Sequence, residues 1–135
     1  MPTNDRIEEQ FSLALESIQG KRRAEMTVAA AAALVERYAE QPDPVARLRL
    51  AYELIRRNFA PDIRLDLGST VLGPDRHEPA DTTFHAEITG DAAPKATMSA
   101  AYHGPGTSGR TAEEWQAALA LLTGIAALGA GGRLS

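Results

Sequence analysis

Histidines and acidic residues cluster in one part of the chain, at positions where they could bind a metal ion. All three histidines lie between positions 77 and 103. Residues two apart on a strand share a face, so His85 and Glu87 are expected to point the same way. Imidazole and carboxylate groups are ligands that zinc and related metals accept. The candidate metal ligands are His77, His85, Glu87 and His103. The alternative is a set of solvated residues, since none of the tight ligand spacings is present.

A glycine-rich stretch, Gly104 to Thr111, resembles the phosphate-binding pattern G-x-x-x-x-G-K-[ST], with Arg110 at the lysine position. In such loops, backbone amides and the start of a following helix converge on phosphate oxygens. Pro105 removes one of these amide donors, and Glu113 and Glu114 add negative charge at the same place. Anion binding is therefore a better expectation for this loop than nucleotide hydrolysis. A nucleophile set of Ser108 with His85 or His103 and Asp66 lacks a G-x-S-x-G elbow.

Composition limits the classes of protein to which the chain can belong. Its 135 residues suffice for one domain with one core, and 44% apolar and 24% charged residues are ordinary for a globular protein. The formal net charge of −4 disfavours nucleic acid as the main partner, since phosphate binding usually requires a basic excess. There is no cysteine, so disulfides and thiolate chemistry are excluded. No signal peptide or membrane span is recognisable, and we expect a cytoplasmic protein.

The first forty-one residues have helical periodicity. Apolar or small side chains recur at alternating spacings of four and three, which indicates one apolar line along a helix. Lys21 and Glu25 occupy the middle of this line, next to Gly20. Gly20 either ends a first helix or lies within one long, kinked helix. We call the apolar line the N-terminal seam; it consists of Ile7, Phe11, Ala14, Ile18, Val28, Ala32, Val35 and Ala39.

The remaining chain changes from helical to strand periodicity and back. Asp43-Pro44 predicts a helix start, and Ala60-Pro61 predicts its end. Alternating polarity then predicts three strands that form an antiparallel meander with one buried face. Thr111 and Glu114 form a capping box for a final helix. The predicted fold is α+β, with an N-terminal helical segment, an α-β-β-β-α core and a flexible tail. These parts cover residues 1–41, 42–129 and 130–135.

The order helix, three strands, helix across residues 44–128 resembles the double-stranded-RNA-binding domain. The family's G-x-G-x-S-K-K-x-A pattern aligns with Gly104, Gly106, Ser108, Gly109, Arg110 and Ala112, and Pro61, Gly73-Pro74, His77 and Phe84 provide further landmarks. In the family, the lysines contact phosphates across a major groove, and the loop with its histidine enters a minor groove. Here glycine and arginine replace the paired lysines, and Glu113 and Glu114 follow them. The resemblance implies nucleic-acid or anion contacts by His77, Gly106, Ser108 and Arg110.

The last predicted helix is apolar on most sides, so a sheet alone cannot cover it. Together with the N-terminal seam and the acidic charge, this predicts a non-catalytic protein-binding or scaffolding module that self-associates and uses no cofactor. A double-stranded nucleic-acid-binding domain and a small metal- or phosphate-binding enzyme are the alternatives. The predicted protein interface consists of Ile7, Phe11, Ile18, Val28, Val35, Trp115, Leu121 and Ile125.

Overall fold

The N-terminal segment forms one continuous helix, α1 (Pro2–Tyr38), in a computed structural model that describes residues 2–90, 95–106 and 109–134. The helix passes through Gly20 without a break, at a cost of about 1 kcal/mol relative to alanine. Only its C-terminal half packs on the rest of the protein, with Ala31, Leu34 and Tyr38 buried. The N-terminal half extends beyond the domain with its side chains exposed from residue 6 to residue 19.

The second helix, α2 (Pro44–Asn58), begins and ends where the sequence predicts. The Asp43 carboxylate accepts a hydrogen bond from the Ala46 amide (2.9 Å) and caps the helix. Arg47, in its first turn, donates to the carbonyl oxygens of Tyr38 (2.7 Å) and Gly129 (2.8 Å) and also to that of Gln41. One guanidinium thereby joins the ends of two other helices, because carbonyl groups there have no helical partner.

The sheet differs from the three-stranded meander predicted above. The described residues form five antiparallel strands, which are β1 (Ile63–Asp66), β2 (Val71–Leu72), β3 (Thr82–Thr89), β4 (Ala96–Tyr102) and β5 (Arg133–Leu134). Their order is β2-β1-β4-β3-β5, so the last of the three long strands lies in the centre. The two additional strands contain two residues each, too few to produce a periodic signal in the sequence.

One face of the sheet is apolar and carries the helices. The final helix, α3 (Ala112–Gly129), lies between the sheet on one side and α1 and α2 on the other. Leu119, Leu122 and Thr123 on this helix are fully buried, and Thr123 Oγ1 donates to Met98 Sδ (3.7 Å). The cover that α3 requires thus comes from the same chain. Within the described residues, no helix is both long and apolar enough to cross a bilayer.

The C-terminal residues, predicted to be a flexible tail, include a short strand. Ala130 is buried, and β5 pairs with the edge of β3 through Ile88–Leu134 and Thr89–Arg133. Ser135 lies outside the described residues. Glycines and a two-residue strand carry little local preference, so this pairing depends on the edge that β3 presents.

Candidate functional site

The other face of the sheet carries a hydrogen-bonded polar network centred on Asp62. His77 Nδ1 lies 2.6 Å from Asp62 Oδ1, and His103 Nε2 lies 2.8 Å from Asp62 Oδ2. The second ring nitrogen of His77, Nε2, lies 2.9 Å from Ser99 Oγ. Asp62 and His77 are about one-fifth exposed, at 18% and 20% of their side chains. The four groups form a chain in the order Ser99, His77, Asp62, His103.

Three separate elements place these groups together. Asp62 immediately precedes β1, Ser99 lies in the middle of the central strand β4, and His103 follows the end of β4. His77 belongs to the segment 73–81, which crosses the outer face between β2 and β3. Arg64 donates to the Asp75 carbonyl oxygen and attaches this segment a second time. The network therefore connects a long loop to the sheet.

The Asp62 carboxylate is at the centre of the network, and its charge depends on the two imidazoles that it binds. Partial burial disfavours the charged form of Asp62, but hydrogen bonds from His103 and His77 outweigh it and hold the pKa of Asp62 below its ordinary value. Asp62 is therefore ionised at neutral pH and orients both rings. In serine hydrolases, an imidazole likewise binds a carboxylate through one ring nitrogen and the hydroxyl of the nucleophilic serine through the other.

The structure brings together only some of the predicted metal ligands. Asp62 joins His77 to His103 through hydrogen bonds to both rings. His85 and Glu87 lie on β3, where they pair with Ser99 and Thr97 of β4. Among the residues described, no three or more histidine, aspartate or glutamate side chains are arranged to hold a metal ion. The sequence analysis missed Asp62 and Ser99. Two features of the sequence could have pointed to them: Asp62 stands just before a predicted strand, and Ser99 is an outward residue of the strand that precedes His103.

Arg110, the predicted phosphate contact, is buried in the domain. Its residue exposure is 4%, and Nη1 donates to the Asn58 carbonyl oxygen (3.1 Å). The guanidinium lies 4.3 Å from the centroid of the Phe59 ring, and burial lowers the pKa of Arg110. The guanidinium is thus held by groups of its own chain, and its contact with an anion stays a prediction.

The glycine loop next to Arg110 borders a cleft of about 320 Å³ at the end of the sheet. Gly106, with a positive φ of 57°, lines this cleft together with Asp62, His103 and Arg110. Ser108, the other candidate anion contact, lies outside the described residues. His77 is instead held by Asp62 and Ser99, as described above.

The N-terminal seam is exposed along the whole of α1. Phe11 is 70% exposed and Val28 is 63% exposed, and Ile7, Ile18 and Val35 are also more exposed than buried. In the C-terminal half of α1, Ala31 and Leu34 are buried against the domain. The seam residues Ala32 and Val35 each follow one of them in the chain and are exposed. Since each residue turns a helix by about 100°, the seam lies on a different face from the one that packs on the domain.

The predicted interface on α3 is only partly available. Trp115 is packed in the core of the single chain, where it is 2% exposed and its indole Nε1 donates to the Phe59 carbonyl oxygen (3.2 Å). Ile125 is half-buried, and Leu121 is 44% exposed. Leu121 lies in a groove of about 260 Å³ between α1 and α3, next to Ala24 and Ala117. The exposed apolar surface is therefore concentrated on α1.

Comparison with family models, with curated proteins and with solved structures gives no match for this chain.

Proposed function

We propose that the protein is a non-catalytic protein-binding module that self-associates through the N-terminal seam. The observation that carries this proposal is the exposure of the entire seam, on a helix whose C-terminal half packs on the domain through a different face. Monomeric soluble proteins rarely leave such a continuous apolar surface in water, and a surface of this kind marks an interaction site. The cytoplasmic location expected from the sequence is part of this proposal.

The spacing of the seam indicates the form of the contact. Apolar residues alternating four and three apart repeat every seven residues, which is the pattern of helices that wind around each other. Burying an exposed side chain the size of Phe11 or Val28 contributes roughly 1.5–3 kcal/mol. The seam has five large members, so their combined burial can offset the loss of freedom on association. These members are Ile7, Phe11, Ile18, Val28 and Val35.

The proposal is tested by measuring molar mass in solution over a range of concentrations. We expect the purified chain to be larger than its 14.4 kDa at high concentration and to dissociate on dilution. Ile18→Glu is expected to abolish association, because it places a charge in the apolar contact. Leu13→Glu is the matched control, since Leu13 is 65% exposed on the same helix but is not part of the seam.

Both variants should retain the thermal unfolding transition of a folded domain, since both side chains are exposed in the single chain. A wild-type chain that remains monomeric at the highest concentration tested would contradict the proposal. Equal effects of Ile18→Glu and Leu13→Glu would contradict the assignment to the seam.

A second candidate function is favoured by the chain from Ser99 through His77 to Asp62. If Asp62 accepts the Nδ1 proton of His77, Nε2 can take the Ser99 proton as Oγ attacks a carbonyl carbon. His77 then gives this proton to the leaving group as its bond to the carbonyl carbon breaks. In a second step His77 takes a proton from water, which attacks the acyl group and releases it from Ser99 Oγ as the proton returns to that oxygen. This candidate ranks second because Ser99 lies within a strand and not at the sharp strand-to-helix turn of a hydrolase nucleophile.

The hydrolase candidate predicts covalent labelling at one hydroxyl. A fluorophosphonate probe should modify Ser99 in the wild type and leave Ser99→Ala unlabelled. His77→Gln should reduce the rate of labelling, and Thr97→Ala, a neighbouring outward residue on β4, should not change it. Absence of labelling under conditions that modify a known serine hydrolase would exclude this candidate. Binding of duplex RNA, which the family resemblance implies, stays a prediction.

A further inference from the structure

We propose that the occupant of the N-terminal seam is α1 of a second copy of this chain, running antiparallel, with the two-fold axis at Arg23. This inference rests on the proposed function and specifies its partner, orientation and register. The argument uses the two charged residues in the middle of the seam, the sizes of the apolar residues on either side, and the position of the domain relative to the helix.

Lys21 and Glu25 continue the four-three spacing of the seam, and both are exposed. A charged residue at a seam position weakens a helix pair unless the partner supplies the opposite charge, and it thereby selects orientation and register. When two copies of α1 run antiparallel about Arg23, Lys21 of each copy faces Glu25 of the other. Both charges on both chains are then paired.

A parallel pair in register gives the opposite result. Lys21 would face Lys21 and Glu25 would face Glu25, so two like-charge contacts would lie within the apolar interface. Like charges that face each other in an apolar interface repel, so they destabilise the parallel pair. The charge pattern therefore favours the antiparallel orientation over the parallel one.

The apolar residues match in the same register. Because the seam is symmetric about position 23, each apolar residue in the first half faces one in the second half. Of the four kinds of facing pair, two place a large residue against valine, one places two alanines together, and one places isoleucine against alanine. The facing pairs are Ile7 with Ala39, Phe11 with Val35, Ala14 with Ala32, and Ile18 with Val28.

The position of the domain leaves this contact open. Arg23 points away from the seam and binds Glu114 on α3, so the domain lies on the other side of α1. The residues of α1 that pack on the domain, Ala31, Leu34 and Tyr38, also lie off the seam. In the antiparallel pair, the half of α1 that extends beyond its own domain lies against the partner's half that carries a domain.

Distances between spin labels test orientation and register directly. The chain contains no cysteine, so single cysteines can be introduced and labelled without background. In Glu9→Cys the two labels should be about 42 Å apart along the helix axis, because twice fourteen residues separate them at 1.5 Å each. In Arg22→Cys the axial separation should be about 3 Å. Both positions are exposed.

The outcomes separate this inference from the proposed function. A long distance at position 9 together with a short one at position 22 supports the antiparallel pair. Short distances at both positions show a parallel pair, which overturns this inference but leaves self-association intact. Absence of dipolar coupling in both variants, with a monomeric mass, overturns both.

Charge reversal provides an independent test by molar mass in solution. In the antiparallel pair, Lys21→Glu or Glu25→Lys replaces two attractive contacts with two repulsive ones, so each should weaken association about tenfold. The double variant Lys21→Glu/Glu25→Lys restores opposite charges and should recover wild-type association. Single variants that associate as well as the wild type would overturn the proposed register.

Discussion

Arg23 on α1 and Glu114 on α3 form a two-pronged ion pair at the point where α1 leaves the domain. Arg23 Nε donates to Glu114 Oε2 (2.6 Å), and Nη2 donates to Oε1 (3.0 Å). The Thr111 hydroxyl still caps α3 by accepting from the Glu114 amide (3.2 Å), as the capping box predicts. The Glu114 carboxylate, however, binds Arg23 and so connects two helices. This pair joins the middle of α1 to the first turn of α3.

The first prediction concerns the dependence of this connection on pH. The hydrogen bond from Arg23 holds the pKa of Glu114 below its ordinary value. The connection is therefore fully present above the ordinary pKa of glutamate and is lost as the pH falls through the lowered value. As Glu114 is protonated, we expect hydrogen exchange of the α1 amides near Thr27 to accelerate. The rate is measured relative to that of amides in the core strands.

Glu114→Gln should show fast exchange near Thr27 already at neutral pH. Glu113→Gln is the matched control, because Glu113 is the other acid in the first turn of α3 and has no hydrogen bond to Arg23 among those described. Equal exchange in the two variants at neutral pH would contradict a role for the ion pair.

The second prediction concerns the Asp62 network. Although burial opposes ionisation, His103 and His77 lower the pKa of Asp62, so its stabilising contribution is present above the ordinary aspartate pKa. It is lost as the pH falls through the lowered value. The thermal midpoint of the wild type should therefore decrease in acid more steeply than that of Asp62→Asn. Equal acid dependence of the two proteins would show that Asp62 does not support the fold.

The third prediction concerns the contact between the ends of α1 and α3. A Cβ at Gly129 would lie 2.3 Å from Tyr38 Cε2, whereas one at Gly124 would meet its nearest atom, Leu134 Cδ1, at 3.8 Å. Gly129→Ala should destabilise the domain by roughly 1–3 kcal/mol through overpacking. Gly124→Ala, the matched control in the same helix, should stabilise it by about 0.4–1 kcal/mol.

These two glycine variants are compared by urea unfolding, with the free energy extrapolated to water. A neutral result for Gly129→Ala would mean that Tyr38 moves aside, which would loosen its hydrogen bond to the Arg47 carbonyl oxygen.

The fourth prediction uses the single tryptophan of the chain, Trp115. Its indole is buried between the sheet and the helices, so its emission should be shifted to short wavelength and protected from acrylamide. Both properties should remain unchanged when the protein is diluted from associated to monomeric forms. A shift to longer wavelength on dilution would return Trp115 to the interface predicted from the sequence.

Much of the secondary structure was readable from local patterns. Asp43 and Pro44 predicted the start of α2, and Thr111 predicted the start of α3, because caps satisfy amides within the same few residues. The long strands β3 and β4 followed from alternating polarity. The sheet order did not follow, since alternation predicts which residues share a face but not which strands are neighbours. The segment 73–81 therefore gave no sign that it crosses the outer face.

The candidate sites divide in the same way. Local periodicity in the sequence is enough to identify the N-terminal seam, with Lys21 and Glu25 at its centre, because the spacing of residues along one helix is a local property of the chain. Tertiary packing sets the exposure of this seam and the burial of Trp115 and Arg110. It also brings together Asp62, His77 and Ser99, although residues 62 and 99 are 37 positions apart in the chain. Burial and long-range hydrogen bonds depend on which elements pack together, and local patterns do not specify that packing.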